Sequence, residues 1–205
     1  MARLSYKEQI QRVREDAIVE AVNRLLATKG YDAMTVDEVA AEAGMAKASV
    51  YKHFASKEDL AAAAMVRALD RAVAFVDGQR EQADTPPMDQ LKAVARWAIA
   101  SQLEGEMPSL PSQNSALSSS LQANEAYMDR LISPSNKLSI WITQAQTSGQ
   151  LSSDLPAEMM LYILFARACD PVVGMLKASG MYTNEQILDW VTTTTFDGVG
   201  PLAKA

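Results

Sequence analysis

Hydrophobic positions along this chain recur at helical rather than strand spacing almost throughout. Ile10, Val13, Ala17, Ile18, Ala21 and Leu25 mark one face of an amphipathic helix that ends at Gly30. Thr35, with Glu38 three residues on, reads as a capping box, and Val36, Val39, Ala40 and Ala43 then share a face up to Gly44. A second short helix is predicted from Lys47 to Phe54, with Val50 and Phe54 turned inward. Ser56, with Asp59 in the reciprocal position, opens a long helix reaching about Gln82, where Thr85-Pro86-Pro87 stops it. Further helices are predicted over 88–104, over 123–148 with a kink or break at Pro134, over 157–178 with a kink at Pro171, and over 184–197. A short one begins near Ala116 inside an otherwise irregular Gly105–Ser120 stretch, Gly149–Pro156 is a loop, and residues 1–7 are a loose arm. Nothing alternates like a strand. The pattern predicts an all-α chain: a three-helix module over 1–60 and a helical domain over 61–205.

Two short helices around a Gly turn, followed by a capped third, form the geometry that delivers a helix to the major groove of DNA. The second of them leaves Lys47, Ser49, Tyr51, Lys52 and His53 off the core face. Lysines, a hydroxyl, a phenol and an imidazole match what phosphates and base edges require. Lys57 lies in the first turn of the next helix, where it opposes the helix dipole but, with the free amides there, favours a phosphate oxygen. Tyr51 and His53 have a structural alternative in the core, and Lys52 has one as a solvated charge.

Gly30-Tyr31, Thr35-Val36, Val39-Ala40, Ala43-Gly44, Lys47, Val50-Tyr51, His53-Phe54, Ser56-Lys57-Glu58 and Leu60 together resemble the tetracycline-repressor (TetR) family of bacterial transcription regulators. The likeness covers roughly residues 10–65. It implies phosphate contacts from Thr35, Tyr51, His53 and Lys57, and base-proximal positions at Lys47, Ala48 and Ser49. Two departures stand out: Ala46 replaces the Ser many members carry before the lysine, and Ala48 replaces the Gly many carry after it. The first removes a candidate phosphate contact; the second adds a methyl group that can meet a thymine methyl. The family further implies a homodimer that binds double-stranded operator DNA through the first module and a small-molecule effector through the second.

Charge at first opposes a DNA partner, since the chain carries a net −6. Most of that acidity lies outside the module: residues 1–60 hold nine Lys/Arg against ten Asp/Glu, and 61–205 hold ten against fifteen. Within 47–57 three lysines meet no acid, and local charge governs docking. A lone Cys169 fits a reducing cytoplasm. No Cys/His cluster has metal-ligand spacing, so neither metal nor cofactor is expected. No apolar run reaches the ~18 residues of a membrane span, and the N-terminus lacks the apolar core of a signal peptide.

An enzyme is disfavoured, because nucleophile–His catalysis would need His53, the sole histidine, and no Gly-rich phosphate loop appears. A transcription activator, or a relative acting through a protein partner without reading DNA, are the remaining alternatives to a ligand-responsive repressor on an inverted repeat. For a small apolar effector, Trp97, Met107, Tyr127, Met128, Trp141, Tyr162 and Phe165 are candidate lining. Arg96 and Arg167 sit in apolar runs where either can meet an anionic ligand, while Arg167 can instead pair with Asp170. The 157–178 segment is apolar nearly all round, which predicts burial on several sides. Val172, Val173, Leu176, Ile187 and Val191 are the candidate dimer interface, with an intramolecular core as the alternative.

Overall fold

The computed structural model describes residues 5–81, 85–107 and 116–198, and among them the regular structure is helical. In chain order the helices are α1 (Tyr6–Ala33), α2 (Val36–Glu42), α3 (Lys47–Val50), α4 (Lys57–Arg80), α5 (Pro87–Leu103), α6 (Ala116–Ala123), α7 (Glu125–Thr147), α8 (Ala157–Arg167), α9 (Pro171–Ser179) and α10 (Asn184–Phe196). The all-α expectation therefore holds, and most predicted elements fall within a few residues of the observed ones.

Several boundaries differ for identifiable reasons. Lys7 is not part of a loose arm: Ser5 and Glu8 form a capping box that starts α1 there. Arg3 lies outside the described residues. Gly30 does interrupt α1, at φ 75° and ψ 174°, and one further turn follows it. α3 is shorter than the helix predicted from Lys47 to Phe54. After Val50 it tightens, with Lys52 N–H bonding Ser49 O and His53 N–H bonding Val50 O, the three-residue closure common at helix ends. The 157–178 segment breaks rather than kinks. Pro171 has no N–H to continue α8, and the Asp170 carboxylate caps α9 by accepting the Val172 N–H at 3.0 Å.

That segment bears on two expectations. Ala157–Ser179 has a mean hydropathy of 1.5 over its best window, enough by length and composition alone to cross a membrane. Here the helix is divided by the paired, charged Arg167 and Asp170. Within the single chain, α8 and α9 leave Met159, Tyr162, Val172 and Met175 exposed.

Two compact units arise. The first comprises Met1–Leu69 with Pro108–Met128. Its core joins Ile18, Val22 and Leu26 of α1, Val39 of α2, Val50 of α3 and Leu60 of α4, together with Leu117 and Leu121 of α6. The second comprises Asp70–Met107 with Asp129–Ala205. One of its clusters gathers Val76, Leu91, Ala95, Leu138, Trp141, Ile142, Leu161 and Leu164. The other gathers Ile99, Leu103, Val173, Ile187 and Val191. Each fully buried Leu or Ile contributes about 1.5–3 kcal/mol.

Candidate nucleic-acid interface

The site begins with how α2 and α3 are held. Thr35 Oγ accepts the Glu38 N–H, and the Glu38 carboxylate accepts the Thr35 N–H at 3.0 Å. Lys29 pairs with the same carboxylate at 2.6 Å. Lys29 and then Thr35 hold the Glu38 carboxyl at about 2, well below its usual range. At the other end Gly44 takes φ 65°, which only glycine adopts without strain. That turn lets Met45 N–H bond Ala40 O at 2.9 Å and Gly44 N–H bond Ala41 O at 3.2 Å, a Schellman closure of α2. The chain then enters α3 at a fixed angle, with Val50 fully buried as its anchor. Ala46, the residue before α3, offers no side-chain cap.

The anchored helix presents the predicted residues unevenly. Thr35, Lys47, Ala48, Tyr51 and Lys52 are exposed, whereas Ser49, His53 and Lys57 are half-buried. Lys47 Nζ donates to Asp37 at 2.8 Å, and this partner raises the lysine's pKa. An exposed pair of this kind is weak and screened by salt, so a phosphate can compete for the ammonium. Lys57 Nζ donates to the Asp32 carbonyl at 3.3 Å and stands 4.4 Å from the centre of the Tyr31 ring. Tyr31 in turn donates to Glu58 at 2.6 Å; burial first, then Glu58, pushes its phenol well up. His53 Nδ1 lies 3.2 Å from Glu15 Oε1, and its side chain is only 10% exposed. That contact ties the turn after α3 to α1. Phe54 packs against the first core.

Sequence reading missed three participants: Asp37, Glu15 and Tyr31 as a platform. Asp37 lay in plain view in the first turn of α2. Glu15 is 38 positions from His53, and no local spacing rule links them.

The second unit distributes its candidates widely. Trp97 stacks on Phe75 with ring centres 5.1 Å apart. Trp141 is buried in the Leu91–Leu164 cluster and Phe165 packs against it. Tyr162 is exposed and donates to Glu158 at 2.7 Å. Met107 and Met128 are half-buried. Tyr127 packs against the first core, and so belongs to the first unit. Arg167 pairs with Asp170 at 2.7 Å, and Arg96 with Asp189 at 2.7 Å. A cavity of about 300 Å³ opens instead among Leu91, Ile142, Leu151, Leu155, Met160 and Phe196, with Gln150, Ser152 and Thr195 as its polar groups. It includes none of the residues singled out by sequence. Val173, Ile187 and Val191 fill their own protomer's core, while Val172 is exposed and Leu176 partly buried. Burial, then Asp170, pushes the Cys169 thiol up to about 11, which suits an inert side chain.

Residues 18–64 match the family model for bacterial regulatory proteins of the tetR family. The HTH-type transcriptional regulator AlkX of Mycobacterium tuberculosis is 32% identical over 71 residues, covering 35% of this chain and 34% of AlkX. The match thus spans about a third of that relative's length. Among solved structures, the fatty acid degradation regulator FadR from Bacillus halodurans superposes with a TM-score of 0.68 at 20% identity, covering 91% of this chain and 96% of FadR. AibR, solved with isovaleryl coenzyme A and operator DNA, gives 0.59 at 22% identity over 89% of this chain and 98% of AibR. Residues 18–64 are thus similar to the DNA-binding domain of the tetR family, and the chain shares its helical fold with these two solved regulators.

Proposed function

We propose that the protein is a ligand-responsive, DNA-binding transcription regulator that acts as a homodimer. The observation that carries this is the anchored α2–turn–α3 unit, with Lys47, Ala48, Tyr51 and Lys52 exposed along it. Base-proximal contacts come from Lys47, Ala48 and Ser49, and phosphate contacts from Thr35, Tyr51 and Lys57. His53 acts behind them by holding the turn to α1 through Glu15. Two such helices in a dimer reach successive major grooves roughly 34–36 Å apart, so the operator is an inverted repeat and its occupation represses.

Exposed Met159, Tyr162, Val172, Met175 and Trp190 on α8–α10 support the dimer. Large apolar side chains exposed on three consecutive helices are what an interface with a second copy would cover. Val172 and Leu176 belong to that interface; Val173, Ile187 and Val191 support it from the core.

The effector is small and mainly apolar. AibR carries isovaleryl coenzyme A and operator DNA in one complex, which supports an acyl-type ligand here. The cavity beside α8 supports an apolar site in the second unit. α4 contributes Leu60 to the first core and Val76 to the second, so it is the element through which ligand occupancy would reach the recognition helix.

Fluorescence anisotropy with a duplex from the chain's own upstream region tests the reading. Tight, salt-sensitive binding that an acyl compound reverses is expected. Trp141, in the same cluster as the cavity residues Leu91, Ile142 and Leu164, should report the ligand by a fluorescence change. No binding to any duplex would favour the alternative of a protein partner.

A further inference from the structure

The first turns of α1 carry cations that the helix-turn-helix leaves unused. Every residue from Ser5 to Arg14 is exposed, whereas α1 is core from Ile18 onward. At about 1.5 Å per residue, Tyr6 to Arg14 stand clear of the module for about 14 Å. The projection is fixed at both ends. Ser5 and Glu8 cap its tip, and at its base Glu15 meets His53 while Asp16 pairs with Arg67.

Lys7, Arg12 and Arg14 lie on this projection, and none of them forms an ion pair among the described residues. Its one carboxylate short of Glu15 is Glu8, turned back onto Ser5. Unpaired cations gathered on a chain of net charge −6 call for a polyanion. Their direction is informative as well. At about 100° per residue, Lys7, Gln11 and Arg14 form one stripe, and that stripe continues through Ile18 and Leu25, the face that packs onto the helix-turn-helix. The base of the projection touches His53, two positions past Tyr51 and four before Lys57.

We propose that the N-terminal turns of α1 form a phosphate-binding arm. Lys7 and Arg14, assisted by Arg12, grip the DNA backbone outside the base pairs read by α3. The arm rests on the DNA-binding reading above. It adds affinity and footprint without adding sequence preference, since phosphate contacts position the protein but do not specify a base.

The test uses the full chain and a Lys7→Gln/Arg12→Gln/Arg14→Gln variant, which keeps good helix formers at each site. Each is titrated with salt against a long duplex from the upstream region and against the same duplex trimmed to its inverted repeat. The variant is expected to show a salt slope shallower by about 2–3 per protomer on the long duplex. Trimming should weaken the wild type and leave the variant unaffected. Equal slopes and equal sensitivity to trimming would overturn the arm, while weaker binding by a separate Lys57→Ala variant would still uphold DNA binding. A wild type that binds neither duplex would overturn both. An Ile10→Ser/Val13→Ser variant addresses the neighbouring apolar stripe of Tyr6, Ile10 and Val13. It should leave both slope and sedimentation unchanged. Dissociation of a dimer by this variant, with the triple variant's slope unaltered, would assign the projection to a second copy of the chain and overturn the proposal.

Discussion

The first unit concentrates its candidate site in one run of sequence, and the second scatters its own across helices far apart in the chain. Residues 35–57 carry the cap, the turn, the buried anchor and the exposed side chains of the candidate DNA face together. In the second unit the cavity draws on α5, α7, α8, α10 and the Gln150–Leu155 loop, which meet only once the helices have packed. Local backbone rules therefore define the one, and tertiary packing defines the other. The difference can be broken or sharpened by substitution.

The largest effect is expected where the first unit depends on a distant segment. Leu117 of α6 is fully buried among the helix-turn-helix residues. Leu117→Ala should cost about 2–5 kcal/mol of stability in urea or guanidinium unfolding. A loss below ~1 kcal/mol would mean that α6 is not part of that core.

Next is Asp170, which caps α9 and neutralises Arg167. Asp170→Ala removes both roles from a nearly buried position and should cost about 2 kcal/mol or more. Retention of the wild-type unfolding midpoint would show that α8 and α9 do not need this junction. Gly44→Ala should cost about 1–2 kcal/mol. A Cβ there would touch nothing within 4 Å, so the penalty is that of φ 65° alone. Unfolding and DNA affinity would both record it.

The smallest effect concerns Glu38. Its carboxyl sits at about 2 in the folded chain against an ordinary 4.5. A depressed pKa gives stability that is present above the ordinary value and is lost as pH falls through the folded one. Acid unfolding of the wild type should therefore steepen between these values. Glu38→Gln, which keeps a capping side chain but not the charge that faces Lys29, should flatten that limb. Identical acid limbs would remove Glu38 from the account.

Legibility followed the same division. Caps at Thr35, Ser56 and Thr183 and the turn at Gly44 are set by nearest-neighbour backbone chemistry, so spacing alone revealed them or their helices. Reading α8–α9 as one kinked helix failed because apolar periodicity continues across Asp170-Pro171, while the hydrogen-bond ladder does not. Val173, Ile187 and Val191 are as hydrophobic as an interface would be. Only the packing of α5, α9 and α10 shows that they face inward. His53 looked like its exposed neighbours until Glu15 was found beside it. Aromatic residues were likewise uninformative: Trp141 belongs to a core and Tyr162 to the surface, with nothing in their flanks to separate them.

The central claim is that α3 and the start of α4 address DNA in two different ways, and one measurement tests it most directly. Wild type, Lys57→Ala and Lys47→Ala are titrated with salt against the upstream duplex and an unrelated duplex of equal length. Lys57→Ala should weaken both complexes alike and make each salt slope shallower by about 1 per site. Lys47→Ala should chiefly erode the preference for the upstream duplex, by a factor corresponding to about 1–3 kcal/mol. Unchanged affinity, slope and preference in both variants would contradict the account.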